Sequence, residues 1–214
     1  QGPCYPCMQK LASCDMCIMK PQTCHFAQGT CREPTWGAKN CFVPHYVYLS
    51  NTSGIKVGIT RHTQLPTRWI DQGATQAKPI ARVQTRYHSG LLEVLFAKEV
   101  GDRTAWQTML KGNAEPQDLE EVRQRIVSNC RTDIADLALR FGETAFELID
   151  DAPEISISYP VLAWPEKVKA HNFDKAPLVE GTLMGIKGQY LMMDTGVLNI
   201  RKFGGYEVEI KVAA

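Results

Sequence analysis

Tyr46-Val47-Tyr48-Leu49, Asn51-Thr52-Ser53-Gly54 and Ile55-Lys56-Val57-Gly58-Ile59-Thr60 make up the stretch from which the fold is read. Two β-prone runs flank a turn-forming tetrad, which is the pattern of an antiparallel hairpin. Downstream, Pro66 at a first helical position and Gly73 at a helix end bracket a short helix carrying Arg68, Trp69 and Ile70. Residues 80–87 alternate as a third strand, and Ser89 is placed to cap a helix over 90–100. Leu119, Val122, Ile126 and Val127 repeat at helical spacing, as do Ile134, Leu137, Ala138 and Phe141 before a stop at Gly142. Residues 179–186, 189–194, 197–201 and 206–212 read as short strands separated by glycine-containing turns, which predicts a small barrel of SH3-like or OB-like size.

The expected fold class is therefore α+β in four parts: a Cys-rich metal-binding module over 1–44, a small mixed α/β domain over 45–112, an acidic helical segment over 113–154 and a β-barrel over 155–214. The chain has 214 residues, 44% of them hydrophobic, enough for a real core and too many for a disordered chain. No apolar run reaches the roughly 18 residues a membrane span needs, and no signal peptide is legible, so a cytoplasmic protein without a membrane partner is expected.

Seven of the eight cysteines, Cys4, Cys7, Cys14, Cys17, Cys24, Cys31 and Cys41, lie in the first 41 residues. A cytosolic chain favours metal over a disulfide framework. Cys4-x2-Cys7 and Cys14-x2-Cys17 have knuckle spacing, in which two sulfurs reach one ion at about 2.3 Å. With His25 the set supplies eight ligands, enough for two tetrahedral sites, and their pairing is left open. Structural zinc, one or two ions, is the expected cofactor; an iron–sulfur cluster or a redox store is the alternative. Cys130 reads as a semi-buried bystander.

The net charge of +1 hides three unequal regions. Residues 1–112 carry 13 Lys/Arg against 6 Asp/Glu, residues 113–154 carry 4 against 11, and residues 155–214 carry 7 against 6. A basic front half fits a polyanionic partner, DNA or RNA, and the acidic segment offers a surface for a protein partner. Lys56, Arg61, Arg68, Lys78, Arg82 and Arg86 are the candidate phosphate-facing cations, with Trp69, Tyr87 and His62 available for stacking. Glu93 stands in an almost wholly apolar helix, where a carboxylate needs a cation, a metal or a proton. It is either a functional group or an ion pair with Arg68 or Arg82.

Tyr46-Val47-Tyr48 and Lys56-Val57-Gly58, followed by Arg68 on a helix and Glu93 on a later one, resemble the GIY-YIG nuclease superfamily. The resemblance implies Tyr48 or Lys56 as base, Arg68 as phosphate clamp and Glu93 as ligand of Mg2+ or Mn2+. It thus implies metal-dependent phosphodiester hydrolysis, or a binding module that has kept the shape without the chemistry. Tyr46 stands where the family has Gly, and Lys56 where it has Tyr. Over nearly the whole length the chain also resembles an uncharacterised bacterial family, through Cys4-Tyr5-Pro6-Cys7, Ser13-Cys14-Asp15-Met16-Cys17, Thr67-Arg68-Trp69-Ile70-Asp71-Gln72-Gly73-Ala74 and Gly185-Ile186-Lys187-Gly188-Gln189-Tyr190-Leu191. That second resemblance implies a further Cys-x2-Cys pair upstream of Cys4, which would make Cys4 and Cys7 half of a zinc ribbon.

Overall fold

The computed structural model describes residues 2–101 and 105–212. The hairpin forms as expected: β1 (His45–Asn51) pairs with β2 (Ile55–Arg61) over seven residues, including Tyr48 opposite Gly58. β1 also pairs with β3 (Gln76–Val83), antiparallel, with a register shift between Val47 and Tyr48. The shift falls beside Pro79, which cannot donate to a ladder and is tolerated at such irregularities. β3 begins earlier than expected and ends at Val83, because Thr85 takes over as a helix cap. Its hydroxyl accepts from the His88 amide at 3.2 Å, so α5 spans Arg86–Phe96 and Ser89 lies inside it. Tyr87 is therefore helical.

The outer edge of β3 is shared by β4 (Phe146–Leu148) and β5 (Ile155–Ser156), giving the strand order β2-β1-β3-β4 with β5 beside β3. Side chains alternate across this sheet. Val47, Leu49, Val57, Ala81 and Val83 pack with Leu92, Leu95 and Phe96 of α5 on one face. The same core takes in Leu119 and Ile126 of α7 (Leu119–Asn129), and α8 (Arg131–Phe141) packs on its margin through Ile134, Leu137 and Phe141. Tyr48, Ala74 and Ala77 form a second cluster with Trp69 of α4 (Thr67–Asp71). Gly58 is what that cluster requires, since a Cβ there would lie 2.6 Å from the Tyr48 hydroxyl.

Residues 2–44 hold three short helices, α1 (Tyr5–Lys10), α2 (Met16–Met19) and α3 (Pro34–Asn40), joined by turns. Only Ala12, Asp15, Pro21 and Gly37 are buried among them. This head sits on the first half of α5. Gly90 gives it room, because a Cβ there would come within 2.6 Å of Pro21 and Gln22. Arg86 donates to the Ile18 carbonyl at 2.6 Å, and its amide donates to the Cys41 carbonyl at 2.7 Å.

The C-terminal region departs from expectation. Instead of a closed barrel it contains one three-stranded antiparallel sheet, β6 (Leu183–Lys187), β7 (Tyr190–Met193) and β8 (Gly196–Asn199). Residues 206–212 form no strand: Val208, Ile210 and Val212 face solvent, and no partner closes the sheet with them. Alternation predicts a strand only where a second strand supplies hydrogen bonds and a core covers one face. The core here is small, made of Met192 and Val197 with Met109 and Leu110, next to α6 (Trp106–Met109). The sheet docks through its β6–β7 turn. Gly188, in left-handed conformation at φ 59°, lies so close to the end of α4 that a Cβ would be 3.0 Å from the Asp71 carbonyl oxygen. Tyr159 donates to the Ala74 carbonyl at 2.9 Å, and buried Lys187 to that of Gly112 at 2.8 Å. Burial pushes Lys187 down to about 8. The faces of Trp164 and Tyr159, 5.0 and 5.6 Å away, favour its ammonium form.

Among the described residues no helix is long and apolar enough to cross a membrane.

Candidate functional site

Docking of the C-terminal sheet leaves a cleft of about 210 Å3 against the central sheet. Thr52, Lys56, Arg68 and Asp71 line one side, and Gln189, Tyr190, Asn199 and Arg201 the other. Trp106 and Met109 also reach it. The rings of Trp106 and Tyr190 lie parallel within 2°, with centroids 5.5 Å apart. Among the described lining residues three cations from separate segments, Lys56, Arg68 and Arg201, outnumber a single carboxylate, Asp71, around a polar space, an arrangement that attracts an anion.

The four residues of the nuclease resemblance are placed unequally. Lys56 and Arg68 line the cleft. Tyr48 lies beneath it, fully buried, its hydroxyl donating to Gln72 Oε1 at 2.8 Å. Burial pushes this phenol up to about 12, against the opposing pull of Arg68 beside it. Glu93 does not line the cleft. It is half-buried on α5, close enough to oppose ionisation of Tyr48 and to favour the charged form of Arg86.

The other cations are used within the fold. Arg61 of β2 donates to Asn40 Oδ1 at 2.8 Å and Arg86 of α5 holds Ile18, so the two tie the head to the sheet and to its helix. Lys78 is buried, 3.2 Å from Glu120, and also donates to the Ala152 carbonyl. Arg82 pairs with Glu147 at 3.2 Å on the surface. Trp69 is buried edge-on against Tyr48 at 5.9 Å and presents no stacking face to solvent. Tyr87 packs edge-on against Phe141, whereas His62 is exposed. Part of the acidic segment's charge is likewise consumed internally: Glu120 and Asp150 both hold Arg123. The Arg123 hydrogen bonds keep Glu120 down at about 2.

Sequence reasoning missed Trp106, Gln189, Tyr190, Asn199 and Arg201. The basic pair Arg201-Lys202 was visible, but no local pattern connects it to Arg68, 133 positions earlier.

In the head the thiols fall into two groups. Cys17, Cys24, Cys31 and Cys41 line one small void of about 20 Å3, walled by Phe26, Trp36 and Phe42. That is room for a single water-sized occupant. Burial pushes the Cys17 thiol up to about 11, and Asp15, Cys24, Cys41 and Cys31 push the same way. Cys4 and Cys7 interact directly, and Cys14 adds to the rise at Cys7. Cys14 and Cys17, adjacent in the knuckle spacing, thus face different neighbours. Asp15, Cys17 and His25 also bring ligand atoms within 4.8 Å of one another, a grouping compatible with a metal ion. Both imidazole nitrogens have partners, however: Nε2 lies 3.3 Å from Asp15 and Nδ1 2.7 Å from Thr30. Asp15 is further held by Arg32 at 2.7 Å. Burial alone would raise its carboxyl, but the Cys17 amide, Arg32 and His25 outweigh that and hold it low. Cys17, Cys24, Cys31 and Cys41 are donors of the soft kind that zinc prefers, but among the described residues only Asp15, Cys17 and His25 bring their ligand atoms within 4.8 Å of one another. Cys130 is buried in the main core, away from these groups.

The family described as Protein of unknown function (DUF2797) matches residues 1–208. The chain belongs to this family. No curated protein and no solved structure matches it. For the DUF2797 chain, then, the cleft and the thiol groups carry the functional reading.

Proposed function

We propose that the chain is a zinc-stapled protein that binds nucleic acid, holding a phosphodiester in the cleft between its two sheets. The observation that carries this is the convergence of Lys56, Arg68 and Arg201 on a space with one opposing carboxylate. A phosphate needs such fixed cations, and Arg adds planar donors that match its oxygens. Zinc, held by Cys17, Cys24, Cys31 and Cys41, is structural in this reading, because an all-thiolate set leaves no position for substrate. Cys4, Cys7 and Cys14 provide three ligands of a second site.

Binding without hydrolysis is the better-supported form. A general base works best with a pKa near the operating pH, and Tyr48 is buried and far above it. Glu93, the metal ligand of the nuclease reading, is near enough to act on Tyr48 but is not among the residues that line the cleft. One observation favours hydrolysis as a second reading: Arg68 and Glu93 both lie close enough to Tyr48 to act on its phenol. Lys56 would then be the base exposed to substrate.

Labelled single- and double-stranded DNA and RNA, titrated with the protein in the presence and absence of Mg2+ or Mn2+, separate these readings. The expected result is salt-dependent binding that Arg68→Ala weakens by about tenfold or more, with the strands left intact. Metal-dependent cleavage that Glu93→Ala abolishes would put hydrolysis first. Failure to bind any strand would overturn both.

A further inference from the structure

We propose that the C-terminal sheet forms a base-reading wall in this cleft, so that the occupant is a single unpaired nucleotide. The inference rests on the phosphodiester reading above and adds what lies beyond the phosphate.

The two sides of the cleft differ in chemistry. The near side brings two cations, Lys56 and Arg68, with Asp71 and Gln72, whereas the far side brings one cation, Arg201, with an aromatic face and the primary amides of Gln189 and Asn199. Tyr190 and Trp106 are already stacked on each other, 2° from parallel, and both are half-buried. The platform is therefore rigid before any ligand arrives, and a base laid on it loses little to reorganisation. Gln189 and Asn199 lie beside the rings. The Gln189 side chain has no hydrogen-bond partner among the described residues, and Asn199 commits only its Oδ1, to the Lys202 amide at 3.0 Å. Each thus retains an amide donor of the kind that pairs with base edges.

A second observation points the same way from the opposite side. Thr52 is 2% exposed and lines the cleft, yet its hydroxyl has no partner among the described residues. A buried hydroxyl without a partner costs free energy that a bound ligand would recover. The dimensions select the ligand. At about 210 Å3 the cleft is smaller than the roughly 300 Å3 at the low end of drug-sized pockets. It has room for one base at most and not for a helix, and in a duplex the base faces and Watson–Crick edges are already taken up by stacking and pairing. Arg201, exposed at the rim, is placed for the next phosphate along the strand.

The test uses the purified full chain and fluorescence anisotropy with three probes: a short single strand, its duplex, and the same strand carrying abasic sites. The single strand should bind at least about tenfold tighter than either other probe, the scale of one stacked base. Tyr190→Leu should bring single-strand binding down to the level of the other two probes, and Gln189→Ala, which removes no packing contact of the core, should change the ranking among homopolymer strands. Equal binding of abasic and intact strands, or a Tyr190→Leu effect that is absent or uniform across probes, would overturn the base wall while Arg68-dependent binding persists. If no probe is bound, or Arg68→Ala weakens none of them, the phosphodiester reading fails and takes this inference with it.

Discussion

Of residues 2–44 only Ala12, Asp15, Pro21 and Gly37 are buried, whereas in β1 six of seven residues are. The head and the central sheet thus reach order by different routes within one chain. The sheet removes apolar area from water on both faces, at about 25 cal/mol per Å2. The head has little such area beyond Phe26, Trp36 and Phe42, and its turns gather thiols beside these rings. Each route has its own vulnerability.

Chelation should break the comparison most sharply. Binding of structural zinc is worth on the order of 10 kcal/mol in small metal-folded modules. Removing it should therefore open the head to proteolysis and hydrogen exchange while amides of β1 and β3 stay protected. Equal protection of residues 2–44 before and after chelation would show that the head needs no metal. Cys17→Ser should lower the zinc content by about one ion, while Cys130→Ala leaves it unchanged and costs only core packing. Next in size is Gly58→Ala, which drives a Cβ into the Tyr48 ring at 2.6 Å. A loss of about 1–3 kcal/mol is expected by chemical denaturation, with zinc content intact. A neutral result would mean that Tyr48 is not locked.

The smallest effect concerns the acidic segment. Glu120 is held at about 2, below its ordinary value, by Arg123 and then by Gln124 and Lys78. Its folded pKa is depressed, so its stabilisation is present above the ordinary carboxylate range and is lost as pH falls from about 4.5 towards 2. With a third of the side chain exposed, solvent screening limits the pair to on the order of 1 kcal/mol. Glu120→Gln should lower stability at pH 7 by about that amount and make no difference near pH 2. An equal deficit at both pH values would refute the ion-pair account.

The comparison also explains what was legible in the sequence. Tyr46 to Thr60 could be read because alternation and a turn tetrad are local, and α7 and α8 because a helical stripe is local too. The cap of α5 was misplaced since Thr85 and Ser89 offer the same hydroxyl chemistry, and only the end of β3 at Val83 decides between them. Alternation suggests a closing strand at Glu207-Val208-Glu209-Ile210-Lys211-Val212, but among the described residues no strand pairs with it. Cations were found as residues but not as a surface: Lys78 and Arg86 spend their charge on Glu120 and on the Ile18 carbonyl. Meanwhile Arg201 and Tyr190 meet Arg68 only through tertiary docking.

That docking is narrow. The far side of the cleft hangs from the turn at Lys187 and Gly188, wedged against the end of α4 with an ammonium behind it. The gap between the two walls is accordingly a calliper setting, screwed at Lys187 and Gly188 and steadied by Tyr159 and the small core around Met109. One residue added to that turn would reset the distance from Arg68 to Tyr190 without altering either jaw.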